Sequence, residues 1–383
     1  MQKFDFQQRT RFVFGAGCLH RLGELARECG GSRVLVVSDA GVVSAGHFQR
    51  AVDSLRTAGL TVAAFHDFRE NPSTEHVAAG VAVAKEFTPD LLVGLGGGSS
   101  MDCAKGINFI YSCGGQIQDY WGVGKAHSPM LPMIAVPTTA GTGSEAQSFA
   151  LISDAVTHVK MACGDPKAAC KIALLDPELT ITQPERVTAL TGIDAISHAL
   201  ETYVTKRRNT MSVCFSRESW KHLATSFARV LQQPTDLDAR SGMQLGAALA
   251  GMAIESSMLG AAHAAANPLT AQFGVTHGQA VGVMLPHIIR FNGQQCDAWY
   301  ADLLRDIQPA LGTLEPGEAT QRLADVVTGW VKLAGLQTTI QPLGIASTNI
   351  VDLAIDAMKQ WTGTFNPISV TQLDFEKFYE YAL

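Results

Sequence analysis

Leu91-Leu-Val-Gly-Leu95-Gly96-Gly97-Gly98-Ser99-Ser100-Met-Asp102-Cys-Ala-Lys105 is the stretch that decides the architecture of this chain. A short apolar run ends in consecutive glycines, and a helical pattern starts directly behind them. In that order, glycines let backbone N–H groups approach a pyrophosphate, and the helix N-terminus adds partial positive charge. Ser99 or Ser100 can add a hydroxyl donor, and Asp102 is expected in the first helical turn as a cap. A ligand-free strand-to-helix turn uses glycines too, but the three in a row favour a phosphate loop.

Working outward, Val34-Leu-Val-Val-Ser38, Thr61-Val-Ala-Ala-Phe65 and Met133-Ile-Ala-Val136 read as further strands. Helical stretches from Gly46 to Ala58 and from Thr74 to Glu86 lie between them, the second behind the turn-and-cap signal Asn71-Pro72-Ser73-Thr74. This alternation predicts a Rossmann-like, doubly wound parallel sheet. The loop Pro137-Thr138-Thr139-Ala-Gly141-Thr142-Gly143-Ser144-Glu145 follows an apolar strand and suits a second wall for phosphate, ribose or nicotinamide. Asp39, at a strand end, would accept from a ribose 2′-hydroxyl and repel a 2′-phosphate, which favours NAD over NADP; an Asp there is also a common turn residue. Gly15-Ala-Gly17-Cys-Leu-His20 competes for the phosphate role, with Asp39 at the right distance, but His20 stands where the third glycine belongs. The preceding Arg11-Phe-Val-Phe14 makes a poor central strand.

Beyond Asp176-Pro177 the strand signal fades and helical spacing takes over. Two domains are expected, an α/β domain over 1–182 and an all-helical one over 183–383, in keeping with the 383-residue length. Gly242 to Pro268 reads as one buried, small-residue helix; Glu255, Ser256, Ser257 and His263 interrupt it before a membrane-spanning length.

With 46% hydrophobic and 17% charged residues, the composition is that of a folded enzyme. A net charge of -6 argues against a nucleic-acid or anionic-membrane partner, and Lys206-Arg-Arg208 reads as a solvated helix end. Eight scattered cysteines form no C-x-x-C pair, and the N-terminus shows no secretory signal, so a reduced, cytoplasmic setting is expected.

Asp194 and His198 are four apart in a helical pattern and share one face. His263 stands in Gly260-Ala-Ala-His263-Ala-Ala-Ala-Asn267-Pro268 and His277 in Gly274-Val-Thr-His277-Gly278. Three imidazoles and a carboxylate suit Fe2+ or Zn2+. Spacing alone leaves a metal site and ordinary core histidines equally open. His222 and His287 lack such neighbours and read as structural. Beside a nucleotide loop, an open-sided metal points to hydride chemistry on an alcohol or aldehyde.

Taken together, these motifs resemble those of the iron-containing (group III) alcohol dehydrogenase family, over essentially the whole chain. The resemblance implies an α/β nucleotide-binding domain paired with an all-α metal-binding domain, the architecture of dehydroquinate synthase. By motif it assigns Asp194, His198, His263 and His277 to one divalent metal, Fe2+ first and Zn2+ second. It assigns Gly96, Gly97, Gly98 and Ser99 to the pyrophosphate of NAD, with Asp39, Asn71, Asp102, Thr138, Thr139, Thr142, Lys160 and Leu179 as cofactor neighbours. Gly15 to His20 becomes an early hairpin segment. One departure stands out: many members carry a proton-relaying histidine four residues after the third ligand, where this chain has Asn267. Asparagine hydrogen-bonds but does not exchange a proton near neutral pH, so His277 and Asn267 are the catalytic candidates. The resemblance also implies a small alcohol or aldehyde substrate. A homodimer, joined through sheet edges in the Phe4 to Phe14 segment, is a further expectation. Phe149, Ile254, Trp361 and Phe365 are apolar pocket candidates that read equally as core. The rivals are a same-fold enzyme for a polyol or a hydroxy or oxo acid, and a nucleotide-binding regulator with little turnover.

Overall fold

Three loops that the sequence scatters over a hundred residues leave the sheet at one level. In the computed structural model, which describes residues 3–157 and 159–383, β1 (Arg11–Phe14), β2 (Arg33–Ser38), β3 (Thr61–Phe65), β4 (Leu91–Gly96), β6 (Met133–Pro137) and β9 (Ile172–Leu175) form a parallel sheet in the order β1-β9-β6-β4-β2-β3. Ser38 pairs with Leu95, and Gly96 pairs with Pro137. The residues after β2, β4 and β6 therefore emerge side by side at the carboxyl ends. Strand order reverses between β2 and β4, the topological switch point where open α/β sheets bind ligands.

β4 is apolar throughout because both of its faces are covered. Leu35, Val37 and Leu92 pack on one face with Ala104 and Ile107. Val34, Val36, Leu91 and Val93 pack on the other with Leu22, Leu25 and Leu55. The helices that cover the sheet include α1 (Leu22–Glu28), α3 (His47–Thr57), α4 (Thr74–Phe87) and α5 (Gly98–Cys113); a short α2 (Ala40–Ser44) follows β2. Ser73 caps α4 through a reciprocal pair with His76, as the turn signal predicts.

The chain divides into two units, Gln7–Gln183 and Pro184–Leu383, the latter also taking in residues 3–6. The second unit is helical: α6 (Glu185–Val204), α7 (Thr210–Gln232), α8 (Leu237–Ser256), α9 (Ala261–Phe273), α10 (His277–Ile307), α11 (Glu318–Leu333), α12 (Ile350–Met358) and α13 (Gln372–Ala382). An α/β unit with a six-stranded parallel sheet is thus joined to an all-helical unit, the predicted fold class.

Several expectations need correction. A second, three-stranded sheet, β5 (Gly122–Val123), β8 (Lys160–Gly164) and β7 (Phe149–Ser153), was not predicted, and β9 was missed as well. Gly15 to His20 is no hairpin: β1 runs parallel to β9, at the sheet edge, and the segment after it turns into a 3-10 helix at Cys18–Arg21. Gly242 to Pro268 is two helices, α8 and α9, bent by 105° at the break between them. Met258 in that break has φ 133°, which a continuous helix cannot accommodate. No single helix among the described residues is long and apolar enough to cross a membrane, although that bent pair passes by length and composition.

Candidate metal centre and nucleotide loops

α6 places Asp194 and His198 on one face, both buried. His263 is the third residue of α9, and His277 is the first of α10. Gly278 explains how α10 starts so close to α6, because a Cβ there would lie 2.2 Å from the Leu190 carbonyl oxygen. Any larger residue would push the His277 backbone away.

Asp194 Oδ1 lies 3.3 Å from His198 Nε2 and 3.5 Å from the Nε2 atoms of both His263 and His277. His198 Nε2 and His263 Nε2 are 3.1 Å apart. Asp194, His263 and His277 can each offer one donor atom such that all three lie within 4.8 Å of one another. Donors at about 2.1 Å from a tetrahedral ion stand roughly 3.4 Å apart, which is the spacing found here. Asp194 Oδ1 is also buried without a hydrogen-bond partner, an arrangement costly unless a cation completes it. Burial pushes the Asp194 carboxyl up, but His198, His277 and His263 outweigh it and hold the group well below the ordinary carboxylate range. Burial opposes charge on His263 too, yet Glu201 and Asp194 push its pKa up to about 9. Asp194, His263 and His277 form a group that fits a divalent cation, and His198 adjoins it through Asp194 and His263.

Glu201, absent from the sequence candidates, accepts a hydrogen bond from His263 Nδ1 and, through Oε1, from the Ala262 N–H at 2.8 Å. It follows Asp194 by seven residues and His198 by three, so the pattern Asp194, His198, Glu201 on one helical face was a readable signal. Asn267 lies one turn beyond His263 on α9 and donates to Gln360 Oε1 at 3.0 Å. Of the apolar pocket candidates, Ile254 is buried, Phe149 and Phe365 are half-buried, and Trp361 is exposed and packs edge-on against Phe365.

On the α/β unit, Gly96 has φ +145°, and a Cβ on it would meet Ser100 Oγ at 2.3 Å and Asp39 Oδ2 at 3.0 Å. A Cβ on Gly97 would touch Thr139 Oγ1 at 3.3 Å, and one on Gly98 would strike Thr142 Cγ2 at 2.7 Å. The glycine loop therefore touches both flanking loops. Asp39 caps α2 by accepting from the Gly41 and Val42 N–H groups, and its other oxygen accepts from Ser100 Oγ at 3.0 Å. Ser99 Oγ accepts from the Asn71 N–H at 3.2 Å, and Lys160 Nζ donates to Asn71 Oδ1 at 3.0 Å. Asn71 itself has φ 55°, the left-handed region that asparagine tolerates. The Thr138 N–H donates to the Gly96 carbonyl at 3.0 Å.

Two expectations change here. Asp102 is no cap, since Gly97 occupies that position and α5 has no side-chain cap; buried Asp102 instead accepts from Ser144 Oγ at 2.9 Å. One turn on, fully buried Lys105 donates to Ser144 O, Ser144 Oγ, Gln147 O and Phe149 O at 2.6–3.0 Å. Asp102 and Lys105 thus fasten the Ser144 to Phe149 segment to α5. Leu179, expected beside the cofactor, is fully buried in the sheet core.

Comparison with known proteins identifies the family. The iron-containing alcohol dehydrogenase family model matches residues 9–177, and the C-terminal model of the Fe-containing alcohol dehydrogenase family matches residues 188–383. The NAD-dependent methanol dehydrogenase of Bacillus methanolicus is 32% identical over 371 residues, 97% of each chain. A crystal structure of a 1,3-propanediol oxidoreductase superposes with a TM-score of 0.97 at 29% identity and full coverage of both chains. The sulfoacetaldehyde reductase of Bifidobacterium kashiwanohense, solved with NAD+, gives a TM-score of 0.90 at 27% identity, covering 100% of this chain and 99% of that one. With family models spanning both units and relatives matched from end to end, this chain belongs to the iron-containing alcohol dehydrogenase family.

Proposed function

We propose that the protein is a metal-dependent dehydrogenase that moves a hydride between NAD(H) and a primary alcohol or its aldehyde, acting in the cytoplasm as a homodimer. The observation that carries the reading is the convergence of Asp194 Oδ1, buried without a hydrogen bond, with three imidazole Nε2 atoms at 3.3–3.5 Å. Asp194, His198, His263 and His277 are the proposed ligands, for Fe2+ with Zn2+ as the alternative, since availability decides between metals that share donors. When bound, the divalent ion supplies Lewis acidity toward the substrate oxygen, and the nicotinamide supplies the hydride acceptor or donor. Asp194 is the one anionic donor, so the ligand set leaves net positive charge where an alkoxide would develop.

The chain's other residues bind and orient. Backbone N–H groups of Gly97, Gly98 and Ser99 at the start of α5 are proposed to hold the pyrophosphate. Lys160, fixed by Asn71, adds a positive charge beside Ser99. Thr138, Thr139 and Thr142 form the adjoining wall, and Asp39 would receive the ribose hydroxyls. Asn267, held by Gln360, is proposed to orient substrate or water, leaving proton transfer to water and the ribose hydroxyls.

The test is nicotinamide reduction by protein loaded anaerobically with Fe2+ or Zn2+, across simple alcohols and diols, with NAD and NADP. Metal-dependent turnover that His263→Ala abolishes is the expected result; silence across the panel with metal bound would point to a specialised substrate or a regulator.

A further inference from the structure

Glu201 is buried to 4% exposure, and both of its carboxylate oxygens are engaged. Oε2 accepts from His263 Nδ1, and Oε1 accepts from the Ala262 N–H. A neutral imidazole has one N–H; with that proton on Nδ1, its lone pair lies on Nε2. Nε2 is the atom 3.1 Å from His198 Nε2 and 3.5 Å from Asp194 Oδ1.

The same carboxylate also secures the backbone that carries the ring. The first N–H groups of a helix have no partner within it, and the residue preceding α9, Gly260, has no side chain to offer. Glu201 takes the Ala262 N–H, while Asn366 Oδ1 accepts the Ala261 N–H at 3.3 Å. Asn366 is held in turn by a reciprocal amide pair with Asn292, at 3.0 and 2.7 Å, and by donating to the Ile368 carbonyl at 2.8 Å. A Cβ on Gly260 would stand 3.1 Å from both Glu201 Oε1 and Asn366 Oδ1. The start of α9 is thus closely packed around these two acceptors, and the negative carboxylate sits favourably at its positive end.

We propose that Glu201 is a positioning residue for the metal centre: it sets the His263 tautomer and ring orientation so that Nε2 faces the ion. The proposal rests on the metal site described above. Outer partners of this kind alter metal affinity by about 10–100-fold.

The experiment compares Zn2+ affinity, by competition with a chromophoric chelator, in folded wild-type protein, Glu201→Gln and His263→Ala, together with the visible spectrum of each protein loaded with Co2+. Glu201→Gln keeps the shape but removes the charge and turns a donor toward either His263 or Ala262. Its Kd for Zn2+ should rise at least tenfold and its Co2+ bands should shift. A purely structural role would lower apo-protein stability while leaving both readouts unchanged. Wild-type affinity and spectrum in Glu201→Gln, beside lost binding in His263→Ala, overturn the proposal and spare the metal site. Wild-type binding in His263→Ala removes the metal site itself and the proposal with it. Should Glu201→Gln not fold, Glu201→Asp withdraws the carboxylate by one methylene, and unchanged Zn2+ affinity there overturns the proposal equally.

Discussion

At the scale of single residues, the α/β unit holds two carboxylates with opposite prospects. Asp39 is half-buried and hydrogen-bonded by two backbone N–H groups and a serine. If it selects NAD by repelling a 2′-phosphate, Asp39→Gly should raise kcat/KM for NADP relative to NAD by at least tenfold; an unchanged ratio removes Asp39 from the ribose site. Glu145 is buried, and burial pushes its carboxyl up to about 7 from an ordinary value of 4.5, with its own backbone N–H and Lys105 opposing the rise only in part. The fold therefore favours the protonated form: the stability it lends is complete below pH 4.5 and is lost as pH rises through 7. Glu145→Gln should gain about 3 kcal/mol relative to wild type between pH 5 and pH 8, measured by urea unfolding. A constant difference across that range would show that Glu145 stays ionised. Asn267→His should leave metal content unchanged, because Asn267 bonds Gln360 and lies a turn away from the proposed ligand His263.

Elements place these residues through contacts that local sequence does not announce. α10 reaches the metal centre because Gly278 lets its first turn touch the Leu190 carbonyl of α6. Gly278→Ala sets a methyl against fixed backbone at 2.2 Å, so α10 must shift. The variant should lose about 1–3 kcal/mol of stability and, as His277 is displaced, at least tenfold in metal affinity. Stability loss with unaltered metal binding would detach His277 from the ligand set. The register of β2, β4 and β6 has a similar role, since it levels Asp39, Gly97 and Thr138 at the switch point.

For the whole molecule, a metal and a nicotinamide bound as proposed would each favour the folded chain, so both should raise its melting temperature. At free metal a hundredfold above Kd, linkage contributes about 2.7 kcal/mol. Removing the metal by dialysis against a chelator should lower the melting temperature by roughly 5–10 °C, and the helical unit should melt first. No change would contradict the ligand assignment. The β1 edge of the six-stranded sheet carries exposed Phe14, consistent with the proposed homodimer; a monomer mass by light scattering would end that part of the reading.

Local order was legible in the sequence wherever one segment contains its own reason. Leu91 to Gly98 spells strand, turn and helix; Ser73 announces its cap; Asp194 and His198 are brought to one face by helical spacing alone. The family resemblance carried the assignment further, grouping His263 and His277 with that pair. Tertiary structure decided what depends on packing between distant segments. Only it shows donor atoms of Asp194, His263 and His277 gathered within 4.8 Å of one another, with His198 Nε2 3.3 Å from Asp194 Oδ1 and 3.1 Å from His263 Nε2. Only it turns Asp102 and Lys105 into a clamp on the Ser144 to Phe149 segment, breaks α8 from α9 at Met258, and buries Leu179. The short β5, β7, β8 and β9 strands escaped notice for the same reason: a strand's hydrogen bonds belong to its neighbours in space, whereas a helix closes its bonds within four residues.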